Sequence, residues 1–226
     1  WASAANLQLA NLEQTFFAMF SQEWQLQRGT QPLRQIAIID DEPNNQYLCP
    51  EFQLFQQLFQ SFGMQAVVID ARELRWHDGK LWANERPIDL VYNRLTDFYL
   101  EDSAHQALKM AYEANAVVLT PHPQAHALYA NKHNLVRLSN AQSLTQLGIN
   151  EALQQTLLNT IPKTETVNPA KADDLWARRK QLFFKPANGY GSKATYRGDK
   201  ITRRVWEEIL QGDYVAQQLV PPSARR

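Results

Sequence analysis

A single cysteine, Cys49, is all the thiol chemistry this chain carries. One thiol excludes an intramolecular disulfide framework and leaves a cytosolic (cytoplasmic) setting as the expectation. Long apolar runs are missing too. Nothing approaches the roughly 20 residues that cross a bilayer, so no membrane partner is expected. Neither sign of charge dominates: 23 basic residues stand against 23 acidic ones. That balance lacks the basic excess of a nucleic-acid or membrane-surface binder. Residues 1–11 hold no basic segment or apolar core of the signal-peptide kind. They also lack an initiator Met, and the simplest expectation is a piece cut from a longer protein. No internal repeat or low-complexity tract is visible. What the chain does have is 44% apolar residues, enough for a folded core.

The periodicity of those residues points to an α/β protein. Leu9, Leu12, Phe16, Met19 and Phe20 recur at helical spacing within 7–24 and predict an amphipathic helix. RQIAIID (34–40) is a β-branched run expected as a buried strand that ends on Asp40-Asp41. Pro50 suits the first turn of a helix, whose face is Phe52, Phe55, Leu58, Phe59 and Phe62, with Gly63 as the terminating residue. QAVVID (65–70) follows as a second strand. Strand, helix and strand in so short a space predict a right-handed βαβ unit. Asp78-Gly79 predicts a hairpin turn within 74–82. DLVYN (89–93) and AVVLT (116–120) are further strands, with a helix over 103–115 between them. Past Pro121 the pattern is helical to about Leu158, broken near Asn140 and Gly148. It then alternates: an extended 161–164, a polar helix over 173–180, a strand at 182–185, a loop, a strand at 194–196, a helix over 202–210 and a strand at 214–218. A domain boundary is expected near 131–142, dividing residues 1–130 from 131–226.

The segment FFKPANGYGSK (183–193) carries the most chemistry. Lys185 ends an apolar strand, which holds an ammonium group at a fixed place. Two glycines in the loop that follows let backbone N–H groups approach a phosphate closely. Lys193 is a candidate second cation. The plainer reading is a hairpin with a glycine turn and a solvated lysine. The order is strand, loop, strand, unlike a GxxxxGK[ST] loop or a GxGxxG turn entering a helix.

The run FFKPANGYGSKATYRG, followed by VWEEIL and GDYVAQQLVPPS, resembles the nucleotide-binding half of ATP-grasp ligases. Asn131-Lys132, Leu138-Ser139, Gly148 and Ile161-Pro162-Lys163-Thr164 are similar to the segment that opens that fold. DLVYNRLTDFYL (89–100) resembles the strand and loop of a pre-ATP-grasp domain. The likeness spans roughly residues 34–223 and is nearest to circularly permuted ATP-grasp and glutathionylspermidine synthase-like proteins. It implies a Rossmann-like pre-ATP-grasp domain followed by a partial, truncated ATP-grasp fold. It also implies phosphate contacts from Lys132 and Lys185 and a flap made of Gly189, Tyr190, Gly191, Ser192 and Lys193. Gln217 would meet the adenine amino group, and the backbone near Gln218 and Val220 would supply hinge hydrogen bonds. The commonest residue at that adenine contact is acidic, but an amide also accepts from an amino group. The resemblance further implies Mg²⁺ bridging the phosphates. No Glu-x-Asn follows Lys185, so the metal ligands are expected outside this chain and none is assigned within it.

The implied activity is an ATP-dependent carboxylate–amine ligase acting through an acylphosphate, with ATP, a small carboxylate and an amine as partners. The alternative is a non-catalytic nucleotide-binding or interaction module that has lost its metal ligands. An unrelated dinucleotide or sugar-nucleotide binder is disfavoured, because no glycine-rich turn follows Asp40. Arg94, just past a strand end, is the candidate catalytic or substrate-facing cation; its plainer role is an ion pair with Asp97 or Asp89. Asp40, Asp41 and Glu42 also follow a strand end, where a solvated loop is the plainer reading. His122, His126 and His133 have spacing suited to a metal but no surrounding motif. Trp206 is expected to be a packing anchor.

Overall fold

The computed structural model of the chain describes residues 12–222. They form two compact units that divide between Gln124 and Ala125.

In the first unit, α1 (Leu12–Arg28) leads into β1 (Gln35–Asp40), α2 (Cys49–Ser61) and β2 (Gln65–Asp70). A small antiparallel sheet follows, made of β3 (Arg75–His77), β4 (Lys80–Ala83) and β5 (Arg86–Pro87); then come β6 (Leu90–Asn93), α3 (Gln106–Glu113) and β7 (Val118–Thr120). The main sheet is parallel with the order β2-β1-β6-β7, and Ile38 pairs with Val68 on one side and Tyr92 on the other. A parallel sheet needs cover on both faces, which is why β1 reads as a continuous apolar run. Ile36 and Ile38 pack with Phe20, Trp24, Phe52 and Phe59 of α1 and α2. Ala37 and Ile39 face the opposite core, with Leu81, Leu108 and Ala111. The chain leaves β1 for β2 on one side and later returns for β6 on the other. The carboxyl ends of β1 and β6 therefore flank a topological switch point.

Local chemistry explains the element ends. Asp78 (φ 51°) and Gly79 (φ 69°) are both left-handed, as a two-residue hairpin turn requires. Gly63 adopts φ 83° just past α2. Some elements differ from the periodicity. The buried stripe of α1 runs through Phe20 and Trp24, whereas Leu12, Phe16 and Met19 are 51%, 40% and 56% exposed. Two neighbouring stripes share Phe20, and spacing alone does not choose between them; Leu7 and Leu9 lie outside the described residues. The helix expected over 103–115 begins at Gln106, after a turn in which the Asp102 side chain accepts from the Ala104 N–H. The strand expected at 194–196 is displaced to Tyr196–Arg197, because Ala194 adopts φ 53° in a turn.

In the second unit, four short helices come first: α4 (Pro123–Tyr129, in which the division falls), α5 (His133–Leu138), α6 (Ala141–Gln146) and α7 (Glu151–Thr160). Asn140 and Asn150 cap α6 and α7 by accepting from the N–H groups of Ser143 and Leu153. Then follow β8 (Thr164–Thr166), α8 (Ala172–Ala177), β9 (Leu182–Pro186), β10 (Tyr196–Arg197), α9 (Arg203–Gln211) and β11 (Tyr214–Gln218). The polar helix expected to reach Lys180 stops at Ala177 and gives way to a tighter turn over 179–181. The sheet is antiparallel in the order β10-β9-β11-β8. Leu182, Phe184 and Ala216 face a core closed by Leu175 of α8 and by Trp206 and Ile209 of α9. Trp206 meets Phe184 edge-on at 5.2 Å. One face of this sheet is thus committed to packing, which leaves the other for chemistry.

Candidate functional site

Alternation along β9 decides where its lysine goes. Leu182 and Phe184 point into the core, so Phe183 and Lys185 point to the opposite face. The register pairs Lys185 with Val215 and Phe183 with Gln217, placing Gln217 on that same face. There the Lys185 ammonium donates to Gln217 Oε1 at 2.7 Å. Gln217 Nε2 donates to Thr164 Oγ1 at 3.0 Å, and the Thr164 hydroxyl donates to the Pro162 carbonyl at 2.8 Å. Gln217 and Thr164 are buried.

Lys132, at the start of α5, reaches the same region from another part of the chain. Its backbone N–H donates to Ala187 O at 2.9 Å, and its ammonium donates to Gly189 O at 3.0 Å. Its pKa is held below the ordinary lysine value, first by burial and then by the positive charge of Lys185. The charge of Lys185, far away in sequence, is therefore felt at Lys132. Among the described residues neither makes a salt bridge, and both rest on neutral oxygens.

The loop between β9 and β10 is built from tight turns. Gly191 (φ 59°) and Ser192 (φ 58°) are left-handed at the centre of a turn closed by Lys193 N–H to Tyr190 O at 3.2 Å. Gly189 lies so close to Pro186 that a Cβ would come 3.0 Å from its Cγ. Among the described residues the N–H groups of Asn188, Gly189, Gly191 and Ser192 make no hydrogen bond. These open donors at the tip of a glycine loop, beside two ammonium groups, match what a phosphate chain accepts. Lys193 stays on the loop itself, with its ammonium 3.3 Å from the Tyr190 hydroxyl and 4.8 Å from the ring centre.

At the far end of β11 lies a cavity of about 520 Å³ lined by Ser139, Ile161, Pro162, Gln218, Leu219 and Val220, among others. The N–H groups of Gln218 and Leu219 are taken by Lys163 O and Gln181 O, each at 2.8 Å. The Val220 N–H makes no hydrogen bond among the described residues. The site residues expected from the sequence therefore divide. Lys132, Lys185 and the 189–193 loop come together; Gln218 and Val220 border the cavity; and Gln217 has both ends of its amide engaged within the protein.

Arg94 belongs to the first unit. It follows β6, lies 3.0 Å from the Tyr92 hydroxyl and pairs with Glu51 at 3.3 Å, so its ion pair is with neither Asp97 nor Asp89. Asp97 and Asp41 instead hold His105, which is 2% exposed, at 2.7 and 2.9 Å. Burial alone would lower the His105 pKa, but hydrogen bonds to Asp41 and then Asp97 outweigh it and raise it. Burial raises the pKa of neighbouring Asp40. In the second unit His133 Nε2 meets Asp213 Oδ1 at 2.7 Å and its Nδ1 lies 3.4 Å from Thr166 Oγ1. Thr164 stands in the segment 161–164 with no role expected from the sequence, and His105 is not singled out there at all.

The sequence matches no family model and no curated protein. Among solved structures, a glutathione synthetase-like effector from Globodera pallida superimposes with a TM-score of 0.56 at 11% identity. The match covers 93% of this chain and 46% of the effector, so the chain spans less than half the effector's length. D-cycloserine synthetase scores 0.49 at 17% identity, covering 81% of this chain and 58% of that one. The ATP-grasp ligase PsnB, complexed with a precursor variant, Mg and ADP, scores 0.47 at 14% identity, covering 85% and 68%. The likeness to the effector establishes a fold.

Proposed function

We propose that this chain, whose fold is ATP-grasp-like, is the ATP-binding portion of an ATP-dependent carboxylate–amine ligase. The observation that carries the proposal is the pairing of Lys132 and Lys185. Both are cations with no carboxylate on either among the described residues, the charge of Lys185 is felt at Lys132, and beside them lie the open N–H groups of Asn188, Gly189, Gly191 and Ser192. Like charges held close and partly desolvated are unfavourable without an anion, and a triphosphate is an anion of matching charge and reach. The residues present fit ATP. Lys132, Lys185 and the N–H groups of Asn188, Gly189, Gly191 and Ser192 would hold its phosphates, and the cavity at Gln218–Val220 would take its base, with the Val220 N–H as a donor. Bound there, ATP would supply the phosphoryl group that activates a carboxylate as an acylphosphate for capture by an amine.

The chain's own contribution is to hold charge in fixed positions. Ammonium groups anchored by neutral oxygens keep their full charge and need no reorganisation to meet phosphate. Among the described residues no three His, Cys, Asp or Glu side chains converge to hold a metal ion by themselves, so no residue of this chain is assigned to the Mg²⁺ that such chemistry uses. The roles given to the lysines and the loop therefore stand without it.

A thermal-shift titration with Mg-ATP tests the reading. ATP at a hundred times its dissociation constant adds about 2.7 kcal/mol of stability to the wild-type chain. Lys185→Ala is expected to abolish the shift. A full shift in Lys185→Ala removes Lys185 from the site, and no shift in the wild type removes the site altogether.

A further inference from the structure

We infer that Gln217 is a positioning residue for the phosphate-binding ammonium of Lys185 and not the group that reads the base; the inference rests on the nucleotide reading above. The evidence is the direction of three consecutive hydrogen bonds. An ammonium group has only donors, so Lys185 must meet the amide oxygen of Gln217, as it does at 2.7 Å. At the other end, the one hydroxyl proton of Thr164 goes to Pro162 O at 2.8 Å, which leaves Thr164 Oγ1 as an acceptor for Gln217 Nε2. Both ends independently dictate the same amide orientation. Thr164 is itself fixed, because its backbone N–H donates to Ser139 Oγ at 3.0 Å. Gln217, only 9% exposed, therefore has its oxygen aimed at Lys185 before any ligand arrives.

The amide suits this task better than a carboxylate. A neutral oxygen holds the ammonium in place without cancelling its charge, whereas a carboxylate would compete with phosphate for it. A base seated against the Gln217 side chain would have to displace Lys185 or Thr164. Recognition of the base then falls to the backbone that borders the cavity at Gln218, Leu219 and Val220.

Titration calorimetry of the chain with ATP, inorganic tripolyphosphate and adenosine separates the two roles. Gln217→Met is expected to weaken ATP and tripolyphosphate by the same factor, roughly tenfold, and to leave adenosine unchanged. A loss shared by ATP and adenosine, with tripolyphosphate unaffected, overturns the inference. Gln217→Glu guards against a folding defect, because a carboxylate accepts from both Thr164 and Lys185 once the hydroxyl rotates. For a positioning residue it weakens tripolyphosphate binding, and for a base reader it is tolerated. Thr164→Val, two hydrogen bonds from the lysine, is expected to reproduce the Gln217→Met pattern more weakly; unchanged tripolyphosphate affinity in both Thr164→Val and Gln217→Met sinks the idea. A wild-type chain that binds neither ATP nor tripolyphosphate fails earlier, at the nucleotide reading itself.

Discussion

Two clusters of charge, one in each unit, are balanced in opposite ways. In the first, charged groups near the sheet's carboxyl edge are matched: Arg94 with Glu51, Arg72 with Asp70, and His105 with both Asp41 and Asp97. In the second, Lys132 and Lys185 rest on a carbonyl and an amide, with no carboxylate on either among the described residues. Matched charge holds loops in place, and unmatched charge is available to a ligand. The same chain therefore offers an internal control, since removing a charge should cost folding stability in the first cluster and ligand affinity in the second.

The largest expected effect on folding is at His105. It is 2% exposed, and its loss would leave Asp41 and Asp97 facing each other without the group that joins them. Removing one partner of a buried pair typically costs 3–5 kcal/mol, and the partial exposure of Asp41 argues for the lower end. We expect His105→Ala to lower stability by about 3 kcal/mol in urea denaturation. Lys185→Ala, by contrast, should move the stability of the free chain by less than about 1 kcal/mol while abolishing the ATP-dependent shift. Equal losses of stability in the two variants would erase the distinction between the units.

The pH dependence sharpens the comparison. The folded pKa of His105 is raised above its reference value of 6.5 by its two carboxylates. Its contribution is therefore fully present below the unfolded pKa and disappears as pH rises through the folded one. Wild-type stability is expected to fall as pH rises from about 6.5 through the raised folded value, by an amount that His105→Gln removes. A slope that persists unchanged in His105→Gln would place the titrating group elsewhere.

Legibility in the sequence follows the same division. Elements with one dominant constraint were plain: the continuous apolar β1, the Asp78-Gly79 turn, and the apolar strand that ends on Lys185. Where two constraints compete, spacing misleads. The exposed stripe of α1 and the true one differ by a rotation that only packing against β1 selects. The order of lysine, glycine loop and late strand was legible because it is local. The partners of Gln217 and His105 were not, since Gln217 meets Thr164 across 53 residues and His105 meets Asp41 across 64. No periodicity encodes a contact of that kind, and each changes the role its residue would otherwise be given.

The smallest expected effect separates a glycine needed for folding from one needed for binding. Gly63, after α2, and Gly191, in the loop, adopt φ 83° and 59°, and a Cβ at either meets nothing within 4 Å. Substitution by Ala at either site therefore costs only the strain of a left-handed backbone, about 1 kcal/mol or a little more. Steric clash is absent at both, so the stability losses should be nearly equal. Their consequences for ATP should not be. Gly63 terminates a helix that holds none of the phosphate-binding groups proposed above, whereas Gly191 sets the turn that aims the open N–H groups of the loop. Gly191→Ala is expected to weaken tripolyphosphate binding several-fold and Gly63→Ala to leave it unchanged, at matched changes in thermal midpoint. If both variants bind tripolyphosphate as the wild type does, the loop's backbone carries no part of the phosphate site and the two lysines must account for it alone.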